Sequence, residues 1–190
     1  MDELGSAEFR SLRNAVTGRG HLRAILALSG FSGWALVLTA TLAALAYPVA
    51  AIIPLLVLVA TFEVIRPLHM GAERIGRYLQ VFFEEQGGGV GPQLAPPAWE
   101  RTAMAFGAAV PGAAGHPLFV PLFGLATLVN TLAIWVPGPL PLEMALIAVP
   151  HGAFLVWLAV ADRAMRAQRA RELARFRELR DAGSLEVSRS

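Results

Sequence analysis

The chain has no cysteine. That absence removes disulfide scaffolds, thiolate metal sites, CxxC redox chemistry and a cysteine nucleophile in one step, and leaves the redox compartment unconstrained. Lysine is missing as well, so all 16 basic residues are arginine. Composition pressure in a GC-rich bacterial genome accounts for this bias and for the heavy use of Ala, Gly and Pro, ahead of any demand for the guanidinium's bidentate grip on phosphate or carboxylate. No GxGxxG, GxxxxGK[ST], GxSxG or HExxH occurs, so the common nucleotide, hydrolase and metalloprotease sites have no support. The residues specify no reaction and no ligand.

Charge is scarce too. Only 16% of the 190 residues are charged and 55% are hydrophobic, which places the chain in the membrane class as one integral domain. The stretch Ala24 to Ala46 runs 23 residues without a charge. At about 1.5 Å rise per residue a helix of that length crosses a hydrocarbon core of roughly 30 Å. The basic flank before it resembles a signal peptide, and Ala44-Leu45-Ala46 resembles a cleavage site. The run is much longer than a signal peptide's apolar region, so an uncleaved anchor is expected.

Five segments follow from the pattern. Residues 1–23 are a polar N-terminal segment. Residues 24–66 are a first transmembrane hairpin, turning at Tyr47-Pro48. Residues 67–97 hold an amphipathic helix, with Ile75, Tyr78, Leu79, Phe82 and Phe83 at three- and four-residue spacing, and then the Gly/Pro linker Gly87 to Pro97. Residues 98–161 hold a pre-span segment and a second hairpin, with spans Leu118 to Val136 and Leu142 to Ala161 joined by Pro137 to Pro141. Residues 162–190 are a basic helix and tail. The expected fold is an all-α integral membrane protein with four transmembrane helices as two antiparallel hairpins. To these it adds a cytoplasmic-face amphipathic helix and a basic C-terminal helix.

The arginines orient this arrangement. Four precede the first span, four lie between the second and third, eight follow the fourth, and the two short turns have none. Basic residues beside spans are retained in the cytoplasm, so both termini and the central segment are expected inside, in a bacterial inner membrane.

Polar groups inside such spans are costly unless paired, which singles out His151 and Asn130 at comparable depth on antiparallel spans. The plainer explanation is a neutral His151 bonded to Asn130 or to carbonyls freed by Pro150; the sharper one is a proton or substrate path. Glu63, Arg66, Met70, Glu73 and Arg77 recur every three or four residues, with His69 and Arg74 alongside. Glu63, His69 and Glu73 have the chemistry of metal ligands, but the ion-ligating repeats are missing, so no metal and no cofactor is expected. Headgroup contact or pairing among the charges accounts for this interfacial stripe. Arg163, Arg166, Arg169, Arg171, Arg175, Arg177 and Arg180 suit anionic lipid or a cytoplasmic partner. Five acidic residues from Asp162 to Glu186 and the shortage of aromatics argue against nucleic acid.

The expected function is a non-enzymatic membrane subunit or scaffold, contacting anionic lipid headgroups and either copies of itself or other membrane subunits. One alternative is a small oligomeric channel or transporter using His151 and Asn130. A second is a headgroup-modifying enzyme working through Glu63, His69, Glu73, Arg74 and Arg77.

Overall fold

Every described element is a helix. The computed structural model describes residues 3–44, 48–84, 119–133 and 140–187. Helix α1 spans Glu3–Ala43, α2 Ile52–Leu79, α3 Phe119–Ala133 and α4 Pro141–Val187. A 3-10 turn, Pro48–Ala51, precedes α2, and a wide π turn, Gln80–Glu84, follows it. Tyr47, the Gly87 to Pro97 linker, residues 98–118, residues 134–139 of the second turn and the last three residues lie outside the described set.

The helices are longer than the apolar runs they contain. No break separates Arg23 from Ala24 in α1, or Ala161 from Asp162 in α4. Ala, Leu, Arg and Glu all favour helix, so a change from apolar to charged side chains alters the solvent a helix prefers and not its backbone. Pro67 lies inside α2 without ending it. Its ring removes one backbone bond, the one to the Glu63 carbonyl, and the segment expected to lie as a separate surface helix is instead the continuation of α2. At the start of α4, Pro141 occupies the first helical position. The Glu143 carboxylate accepts the Leu140 N–H at 2.9 Å, one half of a capping box.

The described residues form two compact units. The first comprises residues 22–67, 119–133 and 140–163. Its core takes one stripe from each helix at three- and four-residue spacing: Leu55, Leu58, Phe62 and Ile65 of α2, Phe123 and Ala126 of α3, and Phe154, Leu158 and Ala161 of α4. Phe62 stands edge-on to Phe123 at 5.3 Å and to Phe154 at 6.1 Å between centroids, so one ring joins three helices. Helix α1 contributes Phe31, whose ring is 4.9 Å from that of Phe123. It also lies close to α2 at Gly30: a Cβ there would collide with the Thr61 side chain, so only glycine fits.

The outer surface of this unit is apolar. Ile25, Leu28, Leu36, Leu142, Val149 and Val156 are each more than 60% exposed. A surface of that kind marks a protein that does not meet water there. The threonines confirm the pattern of self-sufficiency: Thr39, Thr41, Thr61, Thr127 and Thr131 each bond the carbonyl four residues back at 2.7–2.8 Å. Among the described residues α1, α2 and α4 are long and apolar enough to cross a membrane, while α3 is shorter, apolar over Val120–Leu132.

The second unit comprises residues 3–21, 68–84 and 164–187. It is polar and held differently. Tyr78 stacks on Phe82 at 4.7 Å, and both rings stand edge-on to Phe176 of α4, at 5.8 and 6.4 Å. The Tyr78 hydroxyl donates to Glu8 of α1 at 3.0 Å. These aromatics are the apolar face anticipated for a surface helix, and here they face protein.

Candidate functional site

The buried polar groups of the first unit converge on Asn130. It is the last member of the stripe Phe123, Ala126, Thr127, Asn130 on α3, and it is fully buried. His151 occupies the same inward stripe on α4, with Ile147 before it and Phe154 after it, and is 2% exposed. The Asn130 amide nitrogen donates to the Ala51 carbonyl at 3.0 Å and lies 2.7 Å from His151 Nε2. Its amide oxygen accepts from Trp34 Nε1 at 3.4 Å, and His151 Nδ1 lies 2.8 Å from the Ile147 carbonyl.

These contacts fix the proton positions. An amide nitrogen has two hydrogens to give, and here they go to Ala51 and His151; Nε2 therefore accepts, and the imidazole carries its hydrogen on Nδ1, donated to Ile147. Each partner in the network is satisfied. A proton relay would need Nε2 to take up a hydrogen where the amide already places one, so the geometry is that of a pin joining α1, the 3-10 turn, α3 and α4.

The charged stripe divides into two groups. Glu63 and Arg66 belong to the first unit, where Glu63 accepts from Arg66 Nη2 at 2.8 Å and from Trp157 Nε1 of α4 at 2.7 Å. His69, Glu73, Arg74 and Arg77 belong to the second. There Glu172 of α4 is the common acceptor: Arg74 Nε at 3.0 Å, Gln168 Nε2 at 2.6 Å, and the Arg77 guanidinium in a short contact. Arg77 also reaches Glu73 at 3.3 Å. Burial alone would disfavour the ionised Glu172, but the hydrogen bonds from Gln168, Arg74 and Arg77 and the charge of Arg77 outweigh it, holding this carboxyl below its ordinary range. His69 and Arg77 are each 8% exposed whereas the Arg74 side chain is 59% exposed, so the network is covered at Arg77 and open to solvent at Arg74.

Of the five residues proposed for headgroup chemistry, Glu63 bonds Arg66 and Trp157, whereas Arg74 and Arg77 bond Glu172 and Glu73 bonds Arg77. Among the described residues no three His, Asp or Glu side chains form a group that could hold a metal ion. On α4, Arg175 pairs with Glu178 and Arg180 with Asp181, both at 3.0 Å, while Arg163, Arg166, Arg171, Arg175 and Arg177 are exposed and Arg169 and Arg180 are partly covered. Sequence reasoning missed Trp34, Trp157, Gln168 and Glu172. The two tryptophans resembled ordinary interfacial rings, and nothing local distinguishes Glu172 from its exposed acidic neighbours.

The class to which the three long apolar helices point is that of α-helical membrane proteins. Comparison with family models, with curated proteins and with solved structures finds no match for this chain.

Proposed function

We propose that this protein is a non-enzymatic subunit or scaffold of a bacterial inner membrane. Four segments cross the membrane, those of α1, α2 and α4 and the shorter α3, as two antiparallel hairpins. Both termini and the residues following Pro67 lie on the cytoplasmic side. The exposed arginines of α4 meet anionic headgroups and a cytoplasmic face of a partner subunit.

The observation that carries this reading is where the polar side chains are spent. Asn130, His151, Glu63, Glu73 and Glu172 all bond within the chain. What faces outward is a mainly apolar surface in one unit and a charged, arginine-rich one in the other. Surfaces of those two kinds bind lipid and protein; a catalyst needs reactive groups left open in a cleft.

The absence of native cysteine makes the test direct. Leu140→Cys and Ala174→Cys, both at exposed positions, give single-cysteine proteins without further changes. A membrane-impermeant maleimide is expected to label Leu140→Cys in intact cells and Ala174→Cys only in inverted vesicles; labelling of Ala174→Cys from outside would sink the orientation. The mass of the full chain in a lipid nanodisc reads the function. A stoichiometric second subunit, lost when residues 163–190 are removed, is the expected result. A bare homo-oligomer would favour the channel and make ion flux through His151→Ala the deciding assay.

A further inference from the structure

Glu63, Arg66 and Trp157 form a group that the inward-facing Asn130 network does not include. The indole is held twice: its Nε1–H is committed to Glu63, and its face lies under the Arg66 guanidinium, 5.3 Å from the ring centroid. The group sits on the surface, with the Arg66 and Glu63 side chains 31% and 38% exposed and Trp157 40% exposed. Its neighbours on the same two helices, Val64, Val156 and Val160, also point outward. A pair of opposite charges set into an apolar outer surface needs a cover that carries both signs.

The unused bonding capacity says what that cover is. Arg66 spends one guanidinium N–H on Glu63 and its side chain is 31% exposed, so N–H groups of the outer nitrogens remain for an acceptor. The Glu63 oxygens each accept one bond and retain lone pairs for a donor. We propose that Glu63, Arg66 and Trp157 bind the phosphoethanolamine headgroup of a membrane lipid, its phosphate on Arg66 and its primary ammonium on Glu63. This site rests on the membrane reading given above. A choline headgroup has no N–H to donate, and the aromatic face that would receive its quaternary ammonium is covered by Arg66. A phosphoglycerol headgroup would set neutral hydroxyls where the ammonium would meet Glu63, leaving two negative groups at the site against one guanidinium. The site therefore selects ethanolamine lipids over both.

The experiment is native mass spectrometry of the full chain in neutral detergent, titrated with dioleoyl phosphatidylethanolamine, phosphatidylcholine or phosphatidylglycerol, and with inorganic phosphate as competitor. The ethanolamine lipid is expected to bind about tenfold more tightly than the other two, the size of one charge-assisted hydrogen bond. Arg66→Gln is expected to remove that advantage, and Glu63→Gln to weaken the ethanolamine lipid while sparing phosphatidylglycerol. Arg175→Gln, at an exposed position on α4, leaves the order unchanged. Arg66→Lys retains the ion pair without the planar fork and guards against unfolding; it should bind ethanolamine lipid severalfold more weakly at an unchanged melting temperature. Equal binding of the three lipids, or full ethanolamine affinity in both Arg66 variants, overturns the site. Competition by inorganic phosphate at about its millimolar cellular level also overturns it, in favour of a small-anion site. Alkaline carbonate extraction separates the two claims: release of the protein refutes the membrane reading, whereas retention with unselective lipid binding refutes the headgroup site alone.

Discussion

Glu172→Leu is expected to lower stability by about 3 kcal/mol, the lower end of what removing one partner of a buried ion pair costs. Arg77 is 8% exposed, and its Nε already lacks a hydrogen-bond partner. Without Glu172 the guanidinium retains only the 3.3 Å contact to Glu73, while Arg74 and Gln168 lose their acceptor as well. Amide hydrogen exchange should speed up in residues 68–84 and 164–180, the segments this carboxylate joins; an unchanged pattern would show that the cluster contributes little. The same group links stability to acid. Its folded-state pKa is lowered, so its contribution is present above the unfolded value and is lost as pH falls through the folded one. The variant's stability should therefore fall less steeply with acid than that of the parent chain.

Asn130→Leu is expected to cost about 2–3 kcal/mol, since it leaves the Trp34 N–H and His151 Nε2 without partners in one buried network and takes from the Ala51 carbonyl the bond it accepts from the amide. Leucine keeps the branched outline of asparagine with bulkier methyl ends, so the loss combines missing bonds with some overpacking. His151→Leu alone strands the amide hydrogen of Asn130. The double variant removes both ends of that bond and should be less destabilised than the sum of the singles by about 1 kcal/mol. Unfolding by a denaturing detergent in mixed micelles measures all three. Additive effects would mean that the 2.7 Å contact carries no coupling.

Much of the first unit was legible because its chemistry is local. The charge-free run from Ala24 and the inward stripes at three- and four-residue spacing are one-dimensional patterns, and Asn130 and His151 stood out because few polar groups occupy such runs. Helix ends were less legible. Pro67 and the change of character at Arg23 and Ala161 look like boundaries, yet α1, α2 and α4 pass through all three, because solvent preference and backbone preference are separate properties. The Glu172 cluster was not legible at all. Arg77 and Glu172 lie 95 residues apart, and before folding each resembles any solvated charge on a helix; only their burial together gives them consequence.

The Asn130 network also sets an order of events during synthesis. Trp34 and Ala51 leave the ribosome before Asn130, and His151 after it. In an inserting chain the N–H donor and the carbonyl acceptor of the Asn130 amide are thus made before it, with one hydrogen still to satisfy. His151 arrives with its other nitrogen bonded to its own helix, at the Ile147 carbonyl, and so brings into the membrane one open acceptor for that one remaining hydrogen. The Asn130 network is therefore complete in its parts only once His151 has been made.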